Sequence, residues 1–292
     1  MYRDNKPFDL SPYDHPDIYP GPRPHSSFVF WQGKAHRIEA VKGLPIEHQC
    51  VHLSNSDHIL GSLAFNSFET RKVADFLGED LMKEKVPVVA YGSNVCLAQL
   101  RYKFNLRPSV DDFMLCVKGE ITDSEIVYGP FLAPYGSLPA VIAPMKGAET
   151  EVWITFMDKK QLELINATEK GYELREHSGQ KVVLESGEVF EKVYAYFVPE
   201  ALVWEGNMIR FPDIPGTSQL PAIWQADMLN EVRERIDFRG TREEFIHLIR
   251  WDFAFREQVE LFLKKHTGEF HHEDWKPLET IASIGEMNRS FR

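Results

Sequence analysis

Residues 86–104, VPVVAYGSNVCLAQLRYKF, constrain the fold more than any other stretch of the chain. Val88, Val89 and Ala90 predict a strand with apolar surroundings on both faces. At Gly92 the backbone turns where a Cβ would obstruct it. Ser93 or Asn94 is then placed to cap a helix in which Leu97, Leu100 and Phe104 recur at intervals of three and four. In such a strand-turn-helix unit several backbone N–H groups converge and the helix dipole favours negative charge, so the turn suits a carboxylate or a phosphate. It serves equally well as a plain connection. The stretch matches neither the GxxxxGK[ST] loop nor the GxGxxG fingerprint, so a nucleotide is not indicated.

The chain has 292 residues, 43% of them hydrophobic, enough for a sizeable core in one large domain or two modest ones. Its 44 acidic and 33 basic side chains give a formal charge of −11, and no long basic cluster offsets it. Nucleic acid and anionic membrane are therefore not expected partners. Cys50, Cys96 and Cys116 are odd in number and lack CxxC spacing, which predicts free thiols in a reducing compartment and no zinc ribbon. The opening MYRDNKPFDLSPYDHPD carries charges and prolines where a signal peptide needs an apolar core, and no run approaches the ~20 apolar residues of a membrane span. A soluble, cytoplasmic protein is expected.

Three regions follow from the patterning. Residues 1–85 form an N-terminal extension: a proline-rich run lying extended, two strands around Gln32-Gly33, and a helix over FETRKVADFLGEDLMKEK with Phe68, Val73, Phe76 and Leu77 on one face. Residues 86–235 form a core rich in strands. Within it Val152, Ile154 and Phe156 alternate inward, Asp158 and Gln161 make a capping box, and YELREH, QKVVLE and VFEKVYAYFV have the layout of an antiparallel meander. The core ends in a helix capped by Ser218. Residues 236–292 form a helical region in which Thr241 and Glu244 open a long helix striped by Phe245, Leu248, Ile249, Phe255, Val259 and Phe262. That stripe fits packing on the core or pairing with a second copy as a homodimer.

The strand, Tyr91-Gly92-Ser93-Asn94 and the helix after it resemble the signature opening of the gamma-glutamylcyclotransferase-like family. The likeness continues through GPFLAPYGSLPAVIAPMKG, EVWITFMDKKQLELINATEKGYELRE and KVYAYFV, and covers roughly residues 86–230. The resemblance implies an α+β fold, a mixed β-barrel with surrounding helices. It places Glu169 at the catalytic acid/base position and the YGSN loop around the α-carboxylate and amine of a glutamyl group. It also implies release of 5-oxoproline by attack of the α-amine on the γ-carbonyl, with no metal or organic cofactor and a small γ-glutamyl or related carboxylate compound as the partner. Leu220 stands where the family often carries a tyrosine, which leaves the substrate open.

The chemistry needs a group that takes a proton from the amine and returns one to the leaving nitrogen. A glutamate can do both if burial disfavours its charged form. Glu169 sits between an apolar helix and a strand carrying Tyr172 and Leu174, which makes partial desolvation plausible; as a bare sequence feature it reads equally as a surface acid beside Lys170. Tyr91, Tyr172 and Arg175 read either as pocket residues or as ordinary sheet side chains, and Gly136 with Pro139 either as pocket wall or as a turn. Cys96 reads as small-residue packing, and His271 to Asp274 as a solvated stretch whose adjacent histidines lack the HExxH spacing. The competing reading is a non-catalytic ligand- or protein-binding module on the same fold, which a pocket plugged by the N-terminal extension, Trp204 or Trp224 would favour.

Overall fold

The computed structural model describes residues 8–53, 69–76, 85–177, 180–190 and 192–278. Its N-terminal segment contributes strands β1 (Phe28–Trp31), β2 (Lys34–Glu39), β3 (Cys50–Leu53) and β4 (Glu69–Lys72). There follow β5 (Val86–Ala90), helix α1 (Leu97–Leu106), β6 (Met114–Tyr128), β7 (Ala140–Met157), helix α2 (Lys159–Asn166), β8 (Glu173–His177), β9 (Val182–Leu184) and β10 (Val193–Phe197). The remainder runs through β11 (Glu200–Trp204), β12 (Asn207–Met208), α3 (Gln225–Arg235), α4 (Arg242–Trp251), α5 (Phe253–Lys264), β13 (Thr267–Glu269) and β14 (Trp275–Pro277).

Strands β14-β8-β10-β5-β7-β6-β1-β2-β3-β4 lie side by side in that order, and β9 joins the same sheet through β6. The sheet is mostly antiparallel and does not close into the expected barrel. Closure requires the first and last strands to pair, whereas β14 and β4 stand at opposite edges. The KVYAYFV strand, β10, lies inside the sheet, parallel to β5 and antiparallel to β8. The expected meander is also broken: β8 pairs directly with β10, while β9 crosses to β6. The Gln32-Gly33 hairpin forms as the sequence indicates, with φ of 50° and 70° at its two central residues, the left-handed pair that a tight two-residue turn requires.

Every residue of β5 is buried. Val86, Val88 and Ala90 pack with Leu97, Leu100 and Phe104 of α1 and Leu162 and Ile165 of α2. Val89 faces the opposite layer, which holds Met228, Leu229 and Val232 of α3 together with Phe245, Ile249, Val259 and Leu263 of α4 and α5. The period-two alternation of the strand thus divides two cores, and the C-terminal helices cover one of them.

Helix boundaries depart from the sequence reading where the backbone finds other caps. The long C-terminal helix divides at Asp252, whose φ of −108° and ψ of 104° leave the helix and whose carboxylate accepts the Phe255 N–H at 3.0 Å to start α5. Helix α3 begins only at Gln225, because the preceding stretch is held extended by Arg210 N–H on the Pro221 carbonyl. Residues 69–72, expected in a helix, pair with β3 instead, and 73–76 are helical; Phe68 and residues 77–84 lie outside the described residues. Among the described residues no helix is long and apolar enough to cross a membrane. All three cysteines are free.

Gln161 fastens α2 to the sheet. Its side chain accepts from Asp158 N–H at 2.9 Å and donates to the carbonyls of Asp111 and Phe113 at 2.9 and 2.7 Å, while Asp158 accepts the Gln161 N–H. Gln161→Leu removes the partner of three backbone groups, of which the Phe113 carbonyl is buried, and is expected to lower unfolding stability by about 2 kcal/mol in urea titrations; a change below ~0.5 kcal/mol would contradict the latch.

Within the stretch read as solvated, His272 is in fact 3% exposed and sits 3.0 Å from the Ser124 hydroxyl. Burial pulls both His177 and His272 down to about 4, against the opposing pull of Asp274. A histidine held neutral in the fold contributes stability that is complete above its unfolded value of ~6.5 and is lost as pH falls toward the folded value. Stability should therefore drop by roughly 2 kcal/mol per histidine between pH 7 and 5. A flat profile over that interval would show that these side chains are not shielded.

Candidate active site

β5 delivers Tyr91 and Gly92 to the end of the sheet, and Ser93–Val95 then form a single 3-10 turn. The cap of α1 is Cys96, without a side-chain hydrogen bond, not Ser93 or Asn94 as expected; those two fall in the 3-10 turn before it. The first N–H groups of such a turn have no acceptor within it. Gly92 is required by contact: a Cβ there would lie 2.5 Å from the Tyr19 hydroxyl oxygen, which in turn accepts the Ala140 N–H at 3.0 Å.

The second half of the site leaves α2. The Glu169 N–H reaches the Asn166 carbonyl at 3.3 Å, and Gly171 takes a φ of 88°, which bends the exit back toward α1. Glu169 and Asn94, 75 positions apart, meet there: the Asn94 amide nitrogen donates to Glu169 Oε1 at 3.2 Å. Lys103 Nζ donates to the same oxygen at 2.8 Å and to Asn94 Oδ1 at 2.6 Å. Both charged side chains are largely withdrawn from water, at 8% and 15% exposure for Lys103 and Glu169. The desolvation anticipated for Glu169 is thus accompanied by an ion pair. Thr168 adds a 3.5 Å contact, again to Oε1. Among the described residues these contacts all fall on one oxygen, leaving Oε2 for a ligand.

Around this pair lies a cleft of about 320 Å³, at the small end of the ~300–1,000 Å³ typical of small-molecule sites. Tyr91, Gly92, Ser93, Asn94, Glu169 and Tyr172 all line it, as does Pro139. Gly136 does not. Its φ of 95° closes a turn through the Ala133 carbonyl, and its open side faces Ile246, Ile249 and Arg250 of α4. Arg175 lies elsewhere, over the Phe197 ring at 4.3 Å, and Leu220 packs near Val127 and Val141. Among the described residues Trp204 and Trp224 are not in the wall, and the N-terminal segment contributes Tyr13 and Tyr19 to it.

Glu169 is the single carboxylate in the described wall, and no histidine or cysteine joins it. Among the described residues seven tyrosines also line the cleft. Tyr172 donates to the Ala140 carbonyl at 2.6 Å, Tyr196 to Asn166 Oδ1 at 2.5 Å, and Tyr91 to the Tyr196 carbonyl. Burial holds the hydroxyls of Tyr19, Tyr91, Tyr172 and Tyr196 above the usual phenol range. Tyr135 is pushed up to about 12, chiefly by burial, with Ser93 opposing and Glu169 adding to the shift. All are neutral near pH 7 and cannot act as bases there. Among the described residues no group of three metal-ligating side chains occurs.

Sequence reasoning missed Lys103, Tyr19 and Tyr135. A signal for Lys103 existed: Gln99 and Lys103 are polar residues on a helix face otherwise buried through Leu100 and Phe104. Tyr19 and Tyr135 carry no such mark, because long-range folding brings them in.

Lys103→Met is expected to destabilise the chain by about 2 kcal/mol, since it leaves the half-sequestered Glu169 charge unpaired. Adding Glu169→Gln should recover at least half of that loss in urea titrations. Simple additivity of the two substitutions would mean that the pair is not coupled.

No family model matches the chain, and no curated protein does. Several solved structures are similar to it. One is a gamma-glutamyl cyclotransferase at 16% identity, covering 70% of this chain and 99% of that one with a TM-score of 0.29. An uncharacterized protein from Homo sapiens matches over the same shares at 14% identity and a TM-score of 0.29. Allophanate hydrolase from Kluyveromyces lactis matches 49% of this chain and 22% of its own length, at 12% identity and a TM-score of 0.30. Similarity at this level identifies no shared reaction.

Proposed function

We propose that the cleft cleaves a γ-glutamyl amide by intramolecular cyclisation, with Glu169 as general acid/base. The supporting observation is the meeting of Glu169 with Asn94 of the YGSN turn in one cavity. In this reading the unpartnered N–H groups of the turn take the substrate α-carboxylate. Lys103 and Asn94 hold Oε1 and aim Oε2 at the reacting atoms.

Each step balances within the substrate and Glu169. The carboxylate accepts a proton from the α-amino group, whose nitrogen attacks the γ-carbonyl carbon. A C–N bond forms as the lactam closes, the original amide C–N bond breaks, and the protonated Glu169 returns its proton to the departing nitrogen. The products are 5-oxoproline and a free amine, and Glu169 ends as it began. Folding the glutamyl chain into a near-attack shape supplies much of the acceleration, because the reaction is already intramolecular. The neutral tyrosine hydroxyls suit this scheme, since they orient without competing for the proton. A binding-only role is less well supported, because a carboxylate, Glu169, lines the cavity beside the YGSN turn.

Incubation with a panel of γ-glutamyl amines and peptides, followed by mass spectrometry, should detect 5-oxoproline. Glu169→Gln should lower turnover at least ~100-fold while the protein remains folded. Undiminished turnover in that variant would remove Glu169 from the reaction, and absence of product across the panel would remove the reaction itself.

A further inference from the structure

The cleft changes character along its length. Helix α1 lays Gln99, Tyr102, Lys103 and Leu106 along it, a spacing of three, four and seven that puts them on one helical stripe. Lys103 belongs to the polar end beside Glu169. Tyr102 and Leu106 flank it on the same stripe, and they are 37% and 52% exposed.

Two distant segments bring more rings to this apolar end. Tyr13, from the N-terminal segment, stacks on Tyr102 with centroids 4.6 Å apart and planes at 25°. It also leans on Tyr135 at 5.9 Å. Tyr135 belongs to a loop anchored by Arg256 of α5, whose guanidinium donates to the carbonyls of Leu132, Ala133 and Pro134 at 2.7, 3.3 and 3.4 Å. Tyr13 and the Arg256 brace therefore come from outside the segment that carries the YGSN turn and Glu169, while Tyr102 and Tyr135 come from within it.

Charge is scarce in the same wall. Among the described lining residues the cations are Lys103, committed to Glu169 and Asn94, and the exposed Lys170. A carboxylate on the departing half of a substrate would find Lys103 already committed and Arg250 outside the wall, over the Tyr13 ring at 5.6 Å, whereas a flat apolar group would find three tyrosine rings and Leu106.

We propose that Tyr13, Tyr102, Tyr135 and Leu106 form an aromatic subsite for the amine half of the substrate, selecting arylalkyl amines over amino acids. This inference rests on the γ-glutamyl reading of the polar end. Stacking on one ring of the Tyr13–Tyr102 pair contributes a preference of about five-fold or more.

The test uses full-length protein carrying Glu169→Gln, which holds ligands without turning them over, and isothermal titration with three probes: γ-glutamyl-phenethylamide, γ-glutamyl-glycine and N-acetyl-phenethylamine. The phenethylamide should bind at least about five-fold tighter than the glycine conjugate. Adding Tyr13→Ala or Tyr102→Ala should reduce that preference to within about two-fold, and Tyr102→Leu, which keeps apolar volume without a ring, should do the same if the alanine variant fails to fold. Equal affinities for the two conjugates, or a preference that survives every tyrosine substitution, overturn the subsite and leave the γ-glutamyl reading intact. Binding of N-acetyl-phenethylamine as tight as that of the γ-glutamyl conjugate, with the aromatic preference lost in the tyrosine variants, supports the subsite and overturns the γ-glutamyl reading. Failure of all three probes to bind overturns both.

Discussion

The contact among Lys103, Asn94 and Glu169 is the point on which the cleft depends. A carboxylate drawn out of water between two helices is costly unless an opposite charge and hydrogen-bond donors meet it. Here α1 supplies the ammonium, the YGSN turn supplies the amide, and the exit of α2 supplies the acid. Satisfying the charge therefore fixes the separation of two segments that the sheet alone would leave to side-chain packing. Among the described residues the side-chain contacts of Glu169 all fall on Oε1, and that side chain lines the cavity.

Around that centre the tyrosine hydroxyls act mainly as braces. Tyr172 and Tyr19 hold the carbonyl and the N–H of Ala140 at the start of β7, and Tyr91 and Tyr196 form a short chain ending at Asn166 in α2. Their partners are backbone or amide groups, so the ring faces, more than the protons, are what most of them offer to a ligand. Burial raises these phenols above their usual range and keeps them neutral near pH 7. The N-terminal segment contributes Tyr13 and Tyr19 to the wall, and the C-terminal helices brace the loop that carries Tyr135. Both ends of the chain thus help to shape the cavity.

Local features were readable in the sequence wherever short-range physics decides them. The buried strand β5, the glycine at the bend, the capping box of Asp158 and Gln161, and the two-residue hairpin at Gln32-Gly33 all follow from spacing and backbone preference. The open sheet was not readable, because periodicity marks a strand but says nothing of its neighbours. β9 alternates as a meander strand would, yet pairs with β6. Asp252 looked like one more polar residue on a long helix, and only the packing of both halves against the core reveals it as a cap. In the site, Tyr91, Gly92, Ser93, Asn94, Glu169 and Tyr172 stood out through the family resemblance. Lys103 is a contact made across the fold, and Gly136 proved to serve a turn against α4.

The most direct test of the central claim is a crystal structure of the protein soaked with 5-oxoproline. The carboxylate should rest on the N–H groups of residues 92–94, with the lactam nitrogen within hydrogen-bond distance of Glu169 Oε2. Ordered 5-oxoproline elsewhere on the surface, or a cleft whose bound molecule ignores both the turn and Glu169, would contradict it.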